Sequence, residues 1–136
     1  LAIKSSGDRT GISLMLNDEI NSFTMDHDRK DRPNWDMFLD NIGHKKIFNL
    51  SEIDLFAFEN NQNSFTATRI TASFLKGIAI ALKKPLISIE DNLDIEELVI
   101  IAKEKFLSAE DAHKRFDPKN VNPTYEEDIK FRKLNE

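Results

Sequence analysis

His27, His44 and His113 are the only imidazoles in the chain, and no two of them stand at the spacing that metal ligands need. Asp26, Asp28 and Asp31 resemble half of a calcium loop, but neither the glycine nor the closing glutamate follows where such a loop requires it. Arg29, Lys30 and Arg32 interleave with these acids. A solvated loop with solvated histidines is therefore expected, and no metal. Ser64 and Thr66 carry hydroxyls that a base could activate, yet no histidine or lysine stands near them in sequence. Helix capping explains Ser64 with less invention. The chain has no cysteine, so disulfides, thiol nucleophiles and Cys-ligated zinc are excluded. Arg69 and Lys76 share a helical face about two turns long, suited to an acidic partner, an RNA phosphate or water.

The elements that position these residues belong to a chain of 136 residues, the size of one domain. Its 40% hydrophobic and 32% charged residues give a globular balance rather than a disordered one. A net charge of −5 supplies no general attraction to nucleic acid or anionic lipid. No run of about 18 uninterrupted apolar residues is present, so no membrane contact is expected and a cytoplasmic location fits best. Leu1 is not an initiator residue, so at least one residue is expected ahead of it.

Leu1-Ala2-Ile3 reads as a strand entering a turn over Lys4 to Asp8. Gly11 to Leu16 alternates as a second strand, Asn17-Asp18 makes a tight turn, and Glu19 to Thr24 returns as a third. Met25 to Arg32 reads as loop. Pro33 suits a first helical turn, and Trp35, Phe38, Leu39 and Ile42 then form one apolar face of a helix ending near Gly43. Ile53 to Phe58 is a fourth strand. A long helix, capped by Asn63 or Ser64, runs to about Leu82, where Pro85 stops it before a fifth strand, Leu86 to Ile89. Asp91 or Asp94 caps a further helix through Leu98, Ile101, Ala102 and Phe106, and the remainder to Glu136 is polar.

This order, three meander strands followed by helix, strand, helix and strand, is that of an α/β fold, one ribonuclease H-like lobe, although the pattern alone also admits other α+β layouts. Its mixed five-stranded sheet would have the order 3-2-1-4-5. The lobe would span 1–90, with a C-terminal helix and polar tail over 91–136.

The long helix is wider in its apolar stripe than one sheet requires. Ala67, Ile70, Phe74, Ile78 and Ala81 lie to one side of a narrow polar line, and Ala72, Leu75, Ala79 and Leu82 to the other. Either the Trp35 helix covers the excess, or the two helices together leave an apolar surface for another protein.

The residues Asn61 to Thr71, with Ser64, Phe65, Thr66, Arg69 and Ile70, followed by Lys76-Gly77-Ile78-Ala79 and Pro85-Leu86-Ile87, resemble the TsaB family, also called YeaZ. That family carries Gly-Pro-Gly-Ser-Phe-Thr-Gly-x-Arg-Ile-Gly, then Lys-Gly-Leu-Ala and a proline before the next strand. Leu1 to Ile3 and Ile53 to Phe58 stand where the family has its first and fourth strands, and Pro123-Thr124-Tyr125 resembles a Pro-x-Tyr near its C-terminus. The family's glycines are replaced here by Asn61, Asn63, Ala67 and Thr71, and its strand-end Asp by Lys4.

The resemblance implies a member of the sugar kinase, Hsp70 and actin superfamily that is not itself an enzyme. Such proteins bind the related catalytic protein TsaD and support synthesis of N6-threonylcarbamoyladenosine at position 37 of certain tRNAs, with an ATPase, TsaE, joining the complex. The family's contact surface is made by its first two helices, which would give Trp35, Phe38, Ile42, Ala67, Ile70, Phe74 and Ile78 as the partner-binding residues. The same helices would serve a homodimer. With Lys4 in place of the acid, no nucleotide cofactor is expected, and tRNA would be met only indirectly. The family also implies a second actin-like lobe, for which little room remains after Asn92. The rival is a degenerate nucleotide- or RNA-binding domain of the same fold.

Overall fold

The computed structural model describes residues 1–60 and 65–122. Strand β1 (Ala2–Ser5) leads through a turn at Gly7 into β2 (Arg9–Leu16), and a two-residue turn at Asn17 and Asp18 reverses the chain into β3 (Glu19–Asp26). Both turn residues adopt positive φ, 51° and 69°, the backbone whose twist matches that of the flanking strands. The first strand therefore runs two residues past its expected end, and Met25 and Asp26 extend the third. Their ladder partners Thr10 and Arg9 determine this, whatever their polarity.

Helix α1 (Trp35–Asn41) begins one residue after Asn34, whose side chain accepts the Met37 N–H. Asn34, rather than a first turn at Pro33, sets the start. The helix ends before Gly43, which takes φ 102°. A short 3₁₀ turn, Leu50–Glu52, precedes β4 (Phe56–Glu59), so Ile53 to Leu55 lie outside the strand. Helix α2 (Phe65–Leu82) closes with Lys83 at φ 58°, whose N–H donates to the Ile80 carbonyl at 3.2 Å. Then follow β5 (Leu86–Ile89), α3 (Ile95–Ser108) and a single turn, α4 (Ala112–Arg115), which the sequence did not signal. Asp94 stands at the start of α3 without a capping side-chain bond. The expected cap of α2 at Asn63 or Ser64, and Pro123 to Tyr125, lie outside the described residues.

The five strands form one mixed sheet in the order β3-β2-β1-β4-β5, as expected. The β1–β2 and β2–β3 pairs are antiparallel, while β1–β4 and β4–β5 are parallel. Alternation along the strands divides the core between two faces. Ile3, Ile12, Leu14, Phe56 and Phe58 meet α1 and α2 on one face, while Ala2, Ala57, Ile87 and Ile89 meet α3 on the other. Gly11 lets α3 approach closely: a Cβ there would stand 3.0 Å from Thr24 Oγ1 and 3.3 Å from Ile95. After α4 the chain passes the edge of β5. Leu86 N–H donates to the Phe116 carbonyl at 3.0 Å, and a 3₁₀ turn at Pro118–Asn120 then packs beside α2.

Candidate partner-binding surface

Helix α2 presents four sides. Ala67, Thr68, Thr71, Ala72, Leu75 and Ala79 are buried beneath it. Toward α1, Phe74 stacks on Trp35 with ring centroids 4.5 Å apart and planes 8° apart, and Ile78 packs against the core below. On the opposite flank, Lys76 Nζ donates to the Val121 carbonyl at 2.9 Å and to Asn122 Oδ1 at 3.3 Å. The outward side carries Thr66, Arg69, Ser73, Gly77, Ile80 and Ala81, all exposed, with Ile70 half-buried at its border. Ile80 is 38% exposed.

The seven residues expected at a partner surface separate on this geometry. Phe38 and Ile42 are 0% and 2% exposed, and Phe38 meets the Phe23 ring at 5.3 Å against the sheet. Ala67 is buried as well. Phe38 and Ile42 support the surface from beneath, while Ala67 keeps 7% of its area exposed and lines the cavity beside Thr66 and Ile70. Trp35, Ile70, Phe74 and Ile78 are half-buried and reach its α1-side wall. Periodicity puts Ser73 on the polar line and Ala81 on the apolar face, so it does not gather Ser73, Gly77 and Ala81, small residues at i, i+4 and i+8, as the centre of one outward stripe.

Of the motif residues, Ser64 lies outside the described residues, Phe65 is half-buried, and Thr66 and Arg69 are exposed. Lys76, expected to meet an acidic partner, an RNA phosphate or water, is half-buried and directs its Nζ to the chain's own Val121 and Asn122. Gly77 occupies open space, since a Cβ built on it meets no atom within 4 Å.

Lys4 also turns inward. Its Nζ lies 3.2 Å from Glu59 Oε2, 3.2 Å from Asn92 Oδ1 and 2.5 Å from the Leu93 carbonyl, at the carboxyl ends of β1 and β4. Glu59 is 3% exposed, and its Oε2 meets the ammonium as an ion pair without a well-aligned hydrogen bond. Near the start of α3, the Glu97 carboxyl is raised above its ordinary value, first by a hydrogen bond with Asp94 and then by that neighbour's charge.

His27 is not simply solvated. Its Nδ1 lies 3.0 Å from the Asp28 carbonyl, which can only accept, so in the neutral ring Nε2 accepts from Thr10 at 2.7 Å. Thr10 in turn accepts from Ser5 at 2.8 Å. Thr10 and Ser5 are buried, and the chain of hydroxyls pins the β3–α1 connection to β1. A cavity of about 220 Å³, lined by Ser5, His27, Arg29 and Thr66 among others, opens beside it. His44 packs on Phe48 and His113 on Phe106. Among the described residues, no group of three His, Asp or Glu could hold a metal ion. The α2 segment has the length and composition of a membrane span, but its buried side lies on the sheet.

No family model matches the chain, and no curated protein matches it. Among solved structures it is similar to YeaZ from Pseudomonas aeruginosa, at 26% identity and a TM-score of 0.55 over 66% of this chain and 42% of that one. It is also similar to an uncharacterized protein with similarity to peptidase YeaZ from Pseudomonas aeruginosa, at 24% identity and a TM-score of 0.55. That match covers 79% of this chain and 47% of the other, and speaks for the fold alone. The chain thus spans less than half the length of either structure.

Proposed function

Because the chain is a divergent member of the YeaZ (TsaB) family, we propose that it is a non-catalytic subunit docking onto a TsaD-type protein. It would hold that partner competent for threonylcarbamoyl transfer to adenosine 37 of tRNA. Its fold would be the ribonuclease H-like lobe of the actin-like ATPase superfamily, and its place the cytoplasm, where tRNA is modified. A TsaE-type ATPase would join through the partner, and tRNA would be met only indirectly. The action is allosteric: the subunit favours one conformation of its partner through contacts made only in that conformation.

Gly77 carries the reading. A glycine inside a helix costs roughly 0.5–1 kcal/mol relative to alanine. Its φ is not positive, and no neighbour within 4 Å excludes a methyl group, so nothing inside the described chain requires glycine there. A second backbone passing close to α2 would require it. Ser73 and Ala81 continue the low ridge on either side, and Ile80 with the Trp35–Phe74 stack supplies apolar walls. The same surface would serve a homodimer. The nucleotide- or RNA-binding alternative loses support, because Lys4 and Lys76 are both engaged within the chain.

The test is light scattering after gel filtration, on the chain alone and mixed with the TsaD-type protein of the same organism. A one-to-one mass for the wild type, lost in a folded Gly77→Leu variant, is the expected result. Separate elution of the two wild-type proteins would sink the proposal.

A further inference from the structure

The two edges of the sheet are treated differently. At β5, the chain's own Phe116 carbonyl takes up the Leu86 N–H, and the segment after it runs on beside α2. At β3 no further strand follows among the described residues. The ladder with β2 is continuous, Leu16 opposite Glu19 through Arg9 opposite Asp26, with no bulge to bend the strand away. A two-residue turn makes Leu16 and Glu19 the first hydrogen-bonded pair, and such pairs alternate along the ladder. The backbone groups of Glu19, Asn21, Phe23 and Met25 therefore face β2, and those of Ile20, Ser22 and Thr24 face outward. Among the described residues, no backbone group of another element bonds to them.

Natural edges of this length are blunted by proline, lysine or a bulge. From Ile20 to Met25 the strand holds no charge, proline or glycine, and Asn21, Ser22 and Thr24 are exposed. Negative charge lies instead beside the turn, at Asp18 and Glu19, and against mid-strand Ser22, at Glu96. Asp18 is 86% exposed, Glu19 is exposed, and Glu96 Oε1 accepts from Ser22 Oγ at 2.7 Å. Lys103 compensates only Asp18, at 3.1 Å. These charges discriminate between occupants. A second copy paired antiparallel about Ser22 would set its Asp18 across from Asp26, a like-charge contact that the exposed pairs with Lys103 at 3.1 Å and Arg9 at 3.8 Å only partly offset. A foreign strand with cations at that end meets opposite charge.

We infer that the free edge of β3 is a docking site for an extended segment of another protein. The segment is uncharged through its middle and carries Lys or Arg beside Asp18 and Glu19. Main-chain hydrogen bonds from Ile20, Ser22 and Thr24 give the affinity, and the acids set the orientation. This site lies apart from the α2 surface and stands or falls independently of it.

The experiment uses the full chain and a fluorescein-labelled peptide of alternating Thr and Val ending in Lys-Arg-Lys, read by anisotropy. The control is the same peptide ending in Glu-Asp-Glu. Binding of the basic peptide that weakens with added salt, at least about tenfold tighter than the acidic one, is expected. Amide exchange at Ser22 and Thr24 should slow on binding. Ser22→Pro removes an outward N–H at a position an edge strand tolerates, and should abolish binding. Ser22→Lys keeps the backbone and should weaken the basic peptide about tenfold or more. Equal binding of both peptides, no binding to the folded chain, or indifference to both variants overturns the inference. A wild-type dimer that Ser22→Lys splits would make the occupant a second copy, and overturns it too.

Discussion

Trp35 and Phe74 lie face to face, ring centroids 4.5 Å apart and planes 8° apart, and this stack joins α1 to α2. Helix α1 has only seven residues, too few to persist without its contacts. Its other aromatic anchor, Phe38, points into the sheet. The stack is thus an aromatic contact from α1 to α2, beside the anchorage of Phe38, Leu39 and Ile42 in the core. Replacing Trp35 and Phe74 by Ala singly and together should give a coupling energy of about 0.5–1.5 kcal/mol beyond the separate losses, measured by urea unfolding. A coupling near zero would mean that the two rings touch without supporting each other. Far-ultraviolet circular dichroism is the suitable probe, because Trp35 is the only tryptophan and the variant removes it.

Lys4 and Glu59 make the second prediction. Glu59 is buried, while the Lys4 side chain is 29% exposed, so part of the attraction is screened by water. Removing the cation still strands a carboxylate at the carboxyl ends of β1 and β4. Lys4→Met should cost about 1–3 kcal/mol, less than the breaking of a fully buried pair. Adding Glu59→Gln to it should restore most of the loss, because a neutral amide no longer needs a counter-charge. If the double variant is no better than Lys4→Met, the lysine acts through its bonds to Asn92 and Leu93 rather than through charge.

Strand order and helix placement were legible because they rest on local signals: alternation in β2, the Asn17-Asp18 turn, and a proline after α2. Periodicity also gathered Trp35, Phe38, Leu39 and Ile42 onto one face of α1. It could not say that this face turns down, with Phe38 and Ile42 in the core and only Trp35 near the outside. A one-dimensional pattern fixes which residues share a face, not which neighbour that face meets. Met25 and Asp26 were hidden for a related reason, since their pairing with Thr10 and Arg9 is decided by register and not by hydrophobicity. The bonds Lys76–Val121 and Lys4–Glu59 link positions far apart in sequence, and no local signal marks either. Gly77 was legible only as part of a motif; that it stands in open space is a fact of three dimensions.

Lys76 holds the stretch that follows the 3₁₀ turn at Pro118–Asn120. Val121 packs against the core cluster beneath α2, so the lysine's bonds and an apolar contact act together. Lys76→Met keeps the stem of the side chain and removes the donor. The expected cost is modest, about 0.5–1.5 kcal/mol, since the site is partly exposed. Amide exchange at Val121 should quicken while exchange in β1 and β4 does not. Complex formation with a TsaD-type protein should be unchanged, because Lys76 is directed away from the outward stripe. Loss of the complex without any change at Val121 would return Lys76 to the role of a partner contact.

Gly77 separates stability from binding. In the isolated chain, Gly77→Ala adds a methyl group to open space and removes backbone freedom from the unfolded state. The variant should be more stable than the wild type by about 0.4–1 kcal/mol in urea unfolding. The same methyl group stands where a partner's backbone would approach, and overpacking a close contact costs about 1–3 kcal/mol. Affinity for the partner should thus fall by roughly tenfold or more, as 1.4 kcal/mol is a factor of ten. Gly77→Leu should abolish the complex while remaining folded, since its side chain also enters open space in the free protein. The two measurements move in opposite directions only if the glycine is kept for a contact outside the chain. A Gly77→Ala variant that is stabilised and binds as the wild type does would show that α2 is not approached at this point, and the docking surface would have to be sought elsewhere.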